Sequence, residues 1–266
     1  MGLKSYLEKK AYKDICKVSS LPIKSDEIVN ETWHNLCIIY PAYVEKGKTE
    51  LIETILHQYD LFSEEVLNHL EIVLVDDCSP DIETLIDVSK YKVNISLLRI
   101  LDNIKWNSGG GKNLGVFYCS SERIIITDID HFFPEDTCIW AMRTELKDSE
   151  TCYFKRINQT GESERPHPNT FLMTRDTYFQ LHGYDEDFCG MYGDDIFFRA
   201  YMQKNVDQIY LSLKKCITYG INVEAHSLSR KVSLKLYIII WLKRYRHSQK
   251  CLRFKWQYIG TNKRNL

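Results

Sequence analysis

Residues 71–81 read EIVLVDDCSPD. Glu71–Val75 is a short run rich in β-branched residues and closed by a turn cluster, the pattern of a strand buried in a sheet. It ends in Asp76-Asp77. The turn CSPD then opens a segment whose spacing predicts a helix over Asp81–Ser89. The same rhythm extends both ways. Upstream, Asn35–Pro41 (NLCIIYP) reads as a strand, and Lys48–Tyr59 as a helix with Leu51, Ile55 and Tyr59 on one face. Downstream, Ile95–Leu101 reads as a strand, Gly111–Ser121 as a helix and Arg123–Thr127 (RIIIT) as a strand. Strands alternating with helices predict parallel pairing with both sheet faces covered, an α/β unit over roughly residues 35–130. Beyond it the spacing predicts helices at Pro134–Leu146, Arg175–Leu181 and Asp194–Lys204. Strands are expected at Thr151–Lys155 and Thr170–Thr174, around a polar loop Arg156–Asn169.

Composition narrows the class. The chain has 266 residues, 44% hydrophobic and 27% charged, enough to bury a full core without disulfides or structural metals. The net charge of −1 gives no global basic footprint, so no nucleic-acid partner is expected. Nine cysteines with no C-x-x-C pair fit neither a zinc ribbon nor a disulfide framework, and suit a reducing compartment. The opening MGLKSYLEKKAYKDIC lacks the apolar core of a signal peptide. Its Gly2 and Ser5 miss the myristoylation pattern by one position. The longest aliphatic-aromatic run, Leu236–Leu242, is far short of the ~20 residues a helical span needs. A cytoplasmic protein is expected.

Charge divides the chain. No acidic residue follows Glu224, and eleven bases lie from Arg230 onward, interleaved with Tyr237, Trp241, Tyr245, Phe254, Trp256 and Tyr258. The expected organisation is an N-terminal extension (1–34), one catalytic-type domain (35–229) and a basic aromatic segment (230–266). That last segment admits three readings. It packs back through Leu234, Ile238, Trp241 and Leu242, it contacts an anionic membrane on the inner face, or it binds an acidic glycan or another chain.

In open parallel sheets, ligands bind beyond the carboxyl ends of the strands. Here those ends carry Pro41-Ala42-Tyr43, Asp76-Asp77 and Asp128-Ile129-Asp130-His131. Strand-end aspartates also cap turns, but all of them together point into one crevice. Asp128 and Asp130 stand two apart, so in extended backbone both would face one way and offer hard oxygen donors to Mg²⁺ or Mn²⁺. The segment Asn103–Gly115 (NIKWNSGGGKNLG) does not match a P-loop, which excludes that class of ATPase. It reads either as a flexible lead into a helix or as backbone and Lys112 approaching a diphosphate. Gly190–Arg199 (GMYGDDIFFR) starts a helix with two acids. Acids favour helix N-termini through the macrodipole, and a carboxylate so placed also suits a general base. His131, His167 and His226 are by themselves ordinary structural histidines.

The ordered set IIYPAY, IVLVDDCSPD, NSGGGKNLGV, ITDIDHFFP, NTFLMTRDTYFQLHGYDEDF, GMYGDDIFFR and AHSLSRK resembles glycosyltransferases of the GT-A fold, family 2 and the β-1,4-galactosyltransferases above all. The resemblance spans residues 35 to about 231 and implies a Rossmann-like mixed sheet flanked by helices. It implies a metal-dependent, inverting sugar transfer from a nucleotide-sugar, a UDP-sugar by family frequency, to a glycan or lipid-linked glycan. Pro41, Tyr43 and Asp77 are then expected at the nucleotide base, and Lys112 and Asn113 near the nucleotide. Asp128 is expected near the ribose or donor sugar, and Asp130, with Asp128 and His226, at a Mn²⁺ or Mg²⁺ ion. Tyr192, Gly193 and Asp194 are expected at the acceptor, with Asp195 as the base and Asp194 beside it. The family's Trp-Gly-Gly is here Met191-Tyr192-Gly193, its Arg-Asn is Lys112-Asn113, and its Glu-Asp is Asp194-Asp195. A sugar-phosphate nucleotidyltransferase fits less well, because YPAYVEKGK lacks that class's Gly-rich basic signature. A non-catalytic nucleotide- or glycan-binding module is the alternative from another class.

Overall fold

A computed structural model describes residues 22, 30–44, 49–80, 86–105, 107–190, 195–219 and 252–262. Its strands are β1 (Leu36–Ala42), β2 (Leu70–Asp77), β3 (Asn94–Ile100), β4 (Arg123–Ile126), β5 (His131–Phe132), β6 (Glu150–Asn158), β7 (Ser163–Glu164), β8 (Phe171–Thr174), β9 (Asp207–Thr218) and β10 (Trp256–Thr261). Its helices are α1 (Glu50–Tyr59), α2 (Glu64–His69), α3 (Ser108–Tyr118), α4 (Glu135–Arg143), α5 (Arg175–Gln180) and α6 (Asp195–Asn205).

The strands form one sheet in the order β10-β3-β2-β1-β4-β8-β6-β9-β5, with β7 beside β6. β3, β2, β1 and β4 are parallel, as the sequence rhythm predicts. Their carboxyl ends are nearly level, with Ala42 opposite Asp76 and Asp77 opposite Ile100. β4 stops opposite Ile39, short of the end of β1. Thr127 N–H still donates to Ile39 O, and the chain then turns at residues 129–130.

Alternation along each strand builds two apolar layers. Ile38, Tyr40, Ile72 and Leu74 face Ile52, Ile55 and Tyr59 of α1 and Trp140 of α4. Cys37, Ile39, Val73 and Val75 face Leu114 and Val116 of α3, and that layer continues to Tyr178, Tyr184, Phe198 and Met202. α3 lies unusually close to β1. A Cβ on Gly115 would stand 2.3 Å from Ile39 Cγ2, and one on Gly111 would stand 2.9 Å from Pro41 Cβ. Only glycine permits that approach.

Several boundaries differ from expectation. α3 starts at Ser108 rather than Gly111, because packing on β1 carries the three glycines 109–111 into the helix despite their poor propensity. In the segment expected to be helical over 81–89, residues 81–85 lie outside the described residues, and Val88–Lys90 is a single 3-10 turn capped by Asp87. The loop 156–169 is partly a hairpin, since β6 runs to Asn158 and pairs with β7. The end of the basic segment returns to the fold. β10 lies antiparallel to β3, Asn262 accepts from Ile95 N–H at 2.7 Å, and its amide donates to Tyr91 and Val93 carbonyls. Leu234, Ile238, Trp241 and Leu242 lie outside the described residues. Among the described residues no helix is long and apolar enough to cross a membrane.

Candidate active site

The candidate residues cluster at the carboxyl ends of β1, β2 and β4, beside the N-terminus of α3. Two adjacent acids end β2 and do different work. Asp76 accepts from Ser79 N–H, Ser79 Oγ and Arg99 Nη1, the last at 2.6 Å. Arg99 Nη2 also donates to Ser79 O at 2.7 Å, so Asp76 is consumed in shaping the turn that follows. That turn carries Cys78 at φ +56°, the left-handed region. Asp77 Oδ2 accepts from Asn107 N–H at 3.1 Å, while its buried Oδ1 has no hydrogen-bond partner. Burial raises the Asp77 carboxyl to about 6, and the neighbouring Asp76 adds to the rise against the pull of the Asn107 N–H. Pro41 is buried against α3, and the Tyr43 ring is 41% exposed at the rim.

Asn107 was not singled out by the sequence reading. It is fully buried, and neither end of its amide completes a hydrogen bond, although it sits at the start of α3 next to Asp77. It lines a cleft of about 240 Å³ with Ile104, Glu186, Cys189, Arg253 and Phe254.

Lys112 and Asn113 are both buried and turned to partners within the protein. Lys112 is 1% exposed and gives its ammonium to Asp128 Oδ1 at 2.8 Å, with the Tyr184 ring centroid 5.6 Å away. It acts on the site through Asp128. Asn113 spends its whole amide inside the protein. Its Nδ2 donates to Tyr184 O and Glu186 Oε1, and its Oδ1 accepts from Tyr178 OH and Tyr184 N–H. It is a clamp between α3 and the segment leading to the acid pair. Glu186 extends the clamp by accepting from Leu252 N–H at 2.6 Å and Arg253 N–H at 2.8 Å, while Asp187 pairs with Arg253.

Asp128 and Asp130 are not in extended backbone. His131 N–H closes a turn on Asp128 O at 3.2 Å, so period-two alternation does not apply to them. Asp128 lies between Lys112 on Oδ1 and His167 Nε2, which is 3.5 Å from Oδ2. Burial opposes its charge, but Lys112 and then His167 hold the carboxyl well below the usual range. Asp130 Oδ1 is buried 2.7 Å from His131 Nδ1, out of hydrogen-bond alignment. The Asp130 side chain is about a third exposed. Its backbone carbonyl accepts from Tyr219 N–H at 2.8 Å, which brings the end of β9 to the turn. His131 is wholly buried, its carbonyl accepts from Tyr40 OH at 2.7 Å, and its ring lies 4.6 Å from that of His167. Burial pushes the His167 imidazole down to about 3, against the pull of Asp128. His167 is 39 residues from Asp128 in sequence, and no local signal links the two.

α6 carries Asp195 in its first turn. The helix is docked by Phe198, which stacks on Tyr184 at 4.4 Å, the same ring that Lys112 approaches. Asp195 Oδ2 is 2.9 Å from Arg199 Nη2, one helical turn on. Arg199 is a second residue the sequence reading passed over, although the (i, i+4) spacing in DDIFFR was a legible signal for it. Asp194, Tyr192, Gly193 and His226 lie outside the described residues.

The donor chemistry fits a divalent ion. Asp128 and Asp130 offer carboxylate oxygens on this turn, and His167 Nε2 lies 3.5 Å from Asp128 Oδ2. Among the described residues, the one trio of such donors within 4.8 Å of one another is elsewhere, at Cys37, Glu71 and Cys119 near the opposite ends of the strands. There Glu71 Oε1 already takes Ser120 N–H, Ser121 N–H and Ser121 Oγ.

Comparison with solved structures finds the same fold. TarS 1–349 of S. aureus in complex with UDP-GlcNAc superposes with a TM-score of 0.62 at 19% identity, over 79% of this chain and 66% of that one. The mannosyltransferase PcManGT from Pyrobaculum calidifontis, in complex with GDP-Man and Mn²⁺, gives 0.56 at 15%, over 84% and 69%. GalNAc-T7 with UDP, GalNAc and Mn²⁺ gives 0.54 at 12%, over 71% and 44%. The chain thus spans less than two thirds of TarS 1–349. No curated protein sequence matches it. The model of the family described as glycosyl transferase family 2 matches residues 37–210, well over half of the chain. With the sheet order, that match makes this chain a member of glycosyl transferase family 2.

Proposed function

We propose that this protein transfers a sugar from a nucleotide-sugar to an acceptor hydroxyl, with inversion and with a divalent metal. The observation that carries the reading is the link between the two halves of the site. Lys112 holds Asp128 on the donor side, and the Tyr184 ring beside Lys112 docks the helix that bears Asp195. The nucleotide-sugar named with the TarS and mannosyltransferase structures supports the donor class, and the Mn²⁺ named with two neighbours supports the metal.

The chain's own residues divide the work. Asp77 Oδ1, buried and without a partner, accepts a ring N–H from the base, and uracil offers one. Asp128, fixed by Lys112, lies toward the ribose or sugar, and Asp130 lies toward the diphosphate. A divalent cation bound there neutralises charge on the leaving diphosphate. Asp195 takes the proton from the acceptor hydroxyl as that oxygen attacks the anomeric carbon. Arg199, 2.9 Å from Asp195 Oδ2, orients it. One displacement through an oxocarbenium-like state inverts the centre. Asp194, Tyr192 and Gly193 stand at the acceptor in this reading, and His226 is a further candidate for the metal. The acceptor is a glycan or glycoconjugate hydroxyl, with a lipid-linked glycan reached through peripheral contact of the basic segment 230–266.

The test is donor hydrolysis. The purified protein is incubated with a panel of UDP- and GDP-sugars, with Mn²⁺ or with EDTA, and nucleotide release is measured beside donor-induced thermal shift. Slow release from one donor, abolished by EDTA, is expected. Neither release nor a thermal shift with any donor overturns the reading.

A further inference from the structure

We propose that His167 is a ligand of the divalent cation, its Nε2 binding the same ion as Asp128 Oδ2. The inference rests on the metal-dependent reading above and adds a residue from the 156–170 connection.

The argument starts at the far side of the ring. His167 Nδ1 is 2.9 Å from Thr170 Oγ1, and Thr170 Oγ1 is 2.8 Å from Thr127 Oγ1. Thr127 Oγ1 in turn donates toward Asp128 O at 3.5 Å. Both threonines are buried. In the tautomer proposed, Thr127 donates to Asp128 O, Thr170 donates to Thr127, and His167 Nδ1–H donates to Thr170. That leaves a lone pair on Nε2, facing a carboxylate oxygen 3.5 Å away. Two lone-pair donors held against each other at that distance call for a cation between them. The alternative, a proton on Nε2 shared with Asp128, does not complete a hydrogen bond in the structure.

The separation suits one ion. Two ligands each about 2.1 Å from a metal stand about 3.0 Å apart at a right angle and about 3.4 Å apart at a tetrahedral one. A histidine whose second nitrogen is fixed by a hydrogen bond is the usual form of an imidazole ligand. Lys112 neutralises Asp128 through Oδ1, so the ion is best held once a diphosphate adds negative charge. The experiment therefore includes UDP.

Mn²⁺ is added to the full chain with UDP. Bound metal is counted by continuous-wave EPR, and nitrogen coupling is read by pulsed EPR, with ¹⁵N-histidine labelling to identify imidazole. Expected is a histidine nitrogen coupling that His167→Gln removes, with Mn²⁺ affinity falling at least ~10-fold, the lower end of what disturbing a ligand's surroundings costs. His167→Asn checks against a folding artefact, and thermal midpoints are recorded for both. His226→Gln is the comparator, and the His167 coupling should survive it. Bound Mn²⁺ without histidine nitrogen, or with a coupling and affinity unchanged in both His167 variants, overturns this assignment and leaves the metal reading standing. No Mn²⁺ bound to the parent in the presence of UDP overturns both.

Discussion

Arg199 reaches back one helical turn to Asp195, with Nη2 2.9 Å from Oδ2 and both side chains largely buried. The spacing is set by the helix itself. The pair therefore persists as long as α6 stays docked by Phe198 on Tyr184. The contact uses Oδ2 and fixes the direction of the carboxyl.

Asp195→Asn keeps the size of the side chain and removes the base. Nucleotide release with acceptor present should fall by ~10²–10⁴-fold, with donor binding by calorimetry unchanged. Full activity would remove Asp195 from the mechanism.

Arg199→Met leaves the acid without its counter-charge. Breaking a buried pair from one side costs about 3–5 kcal/mol, so a clear fall in the thermal midpoint is expected. Because the two residues are in contact, Asp195→Asn combined with Arg199→Met should cost less than the sum of the single changes. Strict additivity in denaturant melts would contradict the coupling.

Nucleotide binding should depend on pH through Asp77. Burial raises this carboxyl to about 6, so it is charged and accepting above that pH and protonated below it. Affinity for UDP should therefore fall as pH drops through about 6. UDP has titrations of its own, so the parent is compared with Asp77→Asn across pH 5 to 8 by calorimetry, where ~6 marks the expected divergence. The variant should lack the step, and identical profiles would exclude Asp77 from the base pocket.

Gly115→Ala adds one methyl where Ile39 Cγ2 would be 2.3 Å away. Overpacking costs about 1–3 kcal/mol, while alanine returns about 1 kcal/mol of helix propensity. The net effect should lower the thermal midpoint by a few degrees. A rise would mean that α3 can lift off β1 freely.

The parallel half of the sheet was legible because its strands are apolar runs bounded by turns, as in NLCIIYP and RIIIT. β9 was not, because DQIYLSLKKCIT is half-exposed and carries charges that mask its alternation. WQYIGT was hidden by the basic residues around it, so its pairing with β3 went unseen. The site was legible as residue types rather than as geometry. Asp77, Asp128, Asp130 and Asp195 stand out at strand ends and a helix start. That Asp76 is spent on Arg99, that Asn113 is saturated by Tyr184, Tyr178 and Glu186, and that His167 meets Asp128 are all long-range facts. Local spacing carries no trace of them.

The pairing of β10 with β3 also sets an order of assembly. A chain made from its N-terminus exposes the free edge of β3 while some 150 later residues are still being added, until 256–261 emerge to cover it. Unpaired strand edges are the usual templates for unwanted association. Nascent chains stalled before residue 252 should therefore be the sticky ones, and release of the last strand should coincide with the onset of protease resistance in the whole sheet.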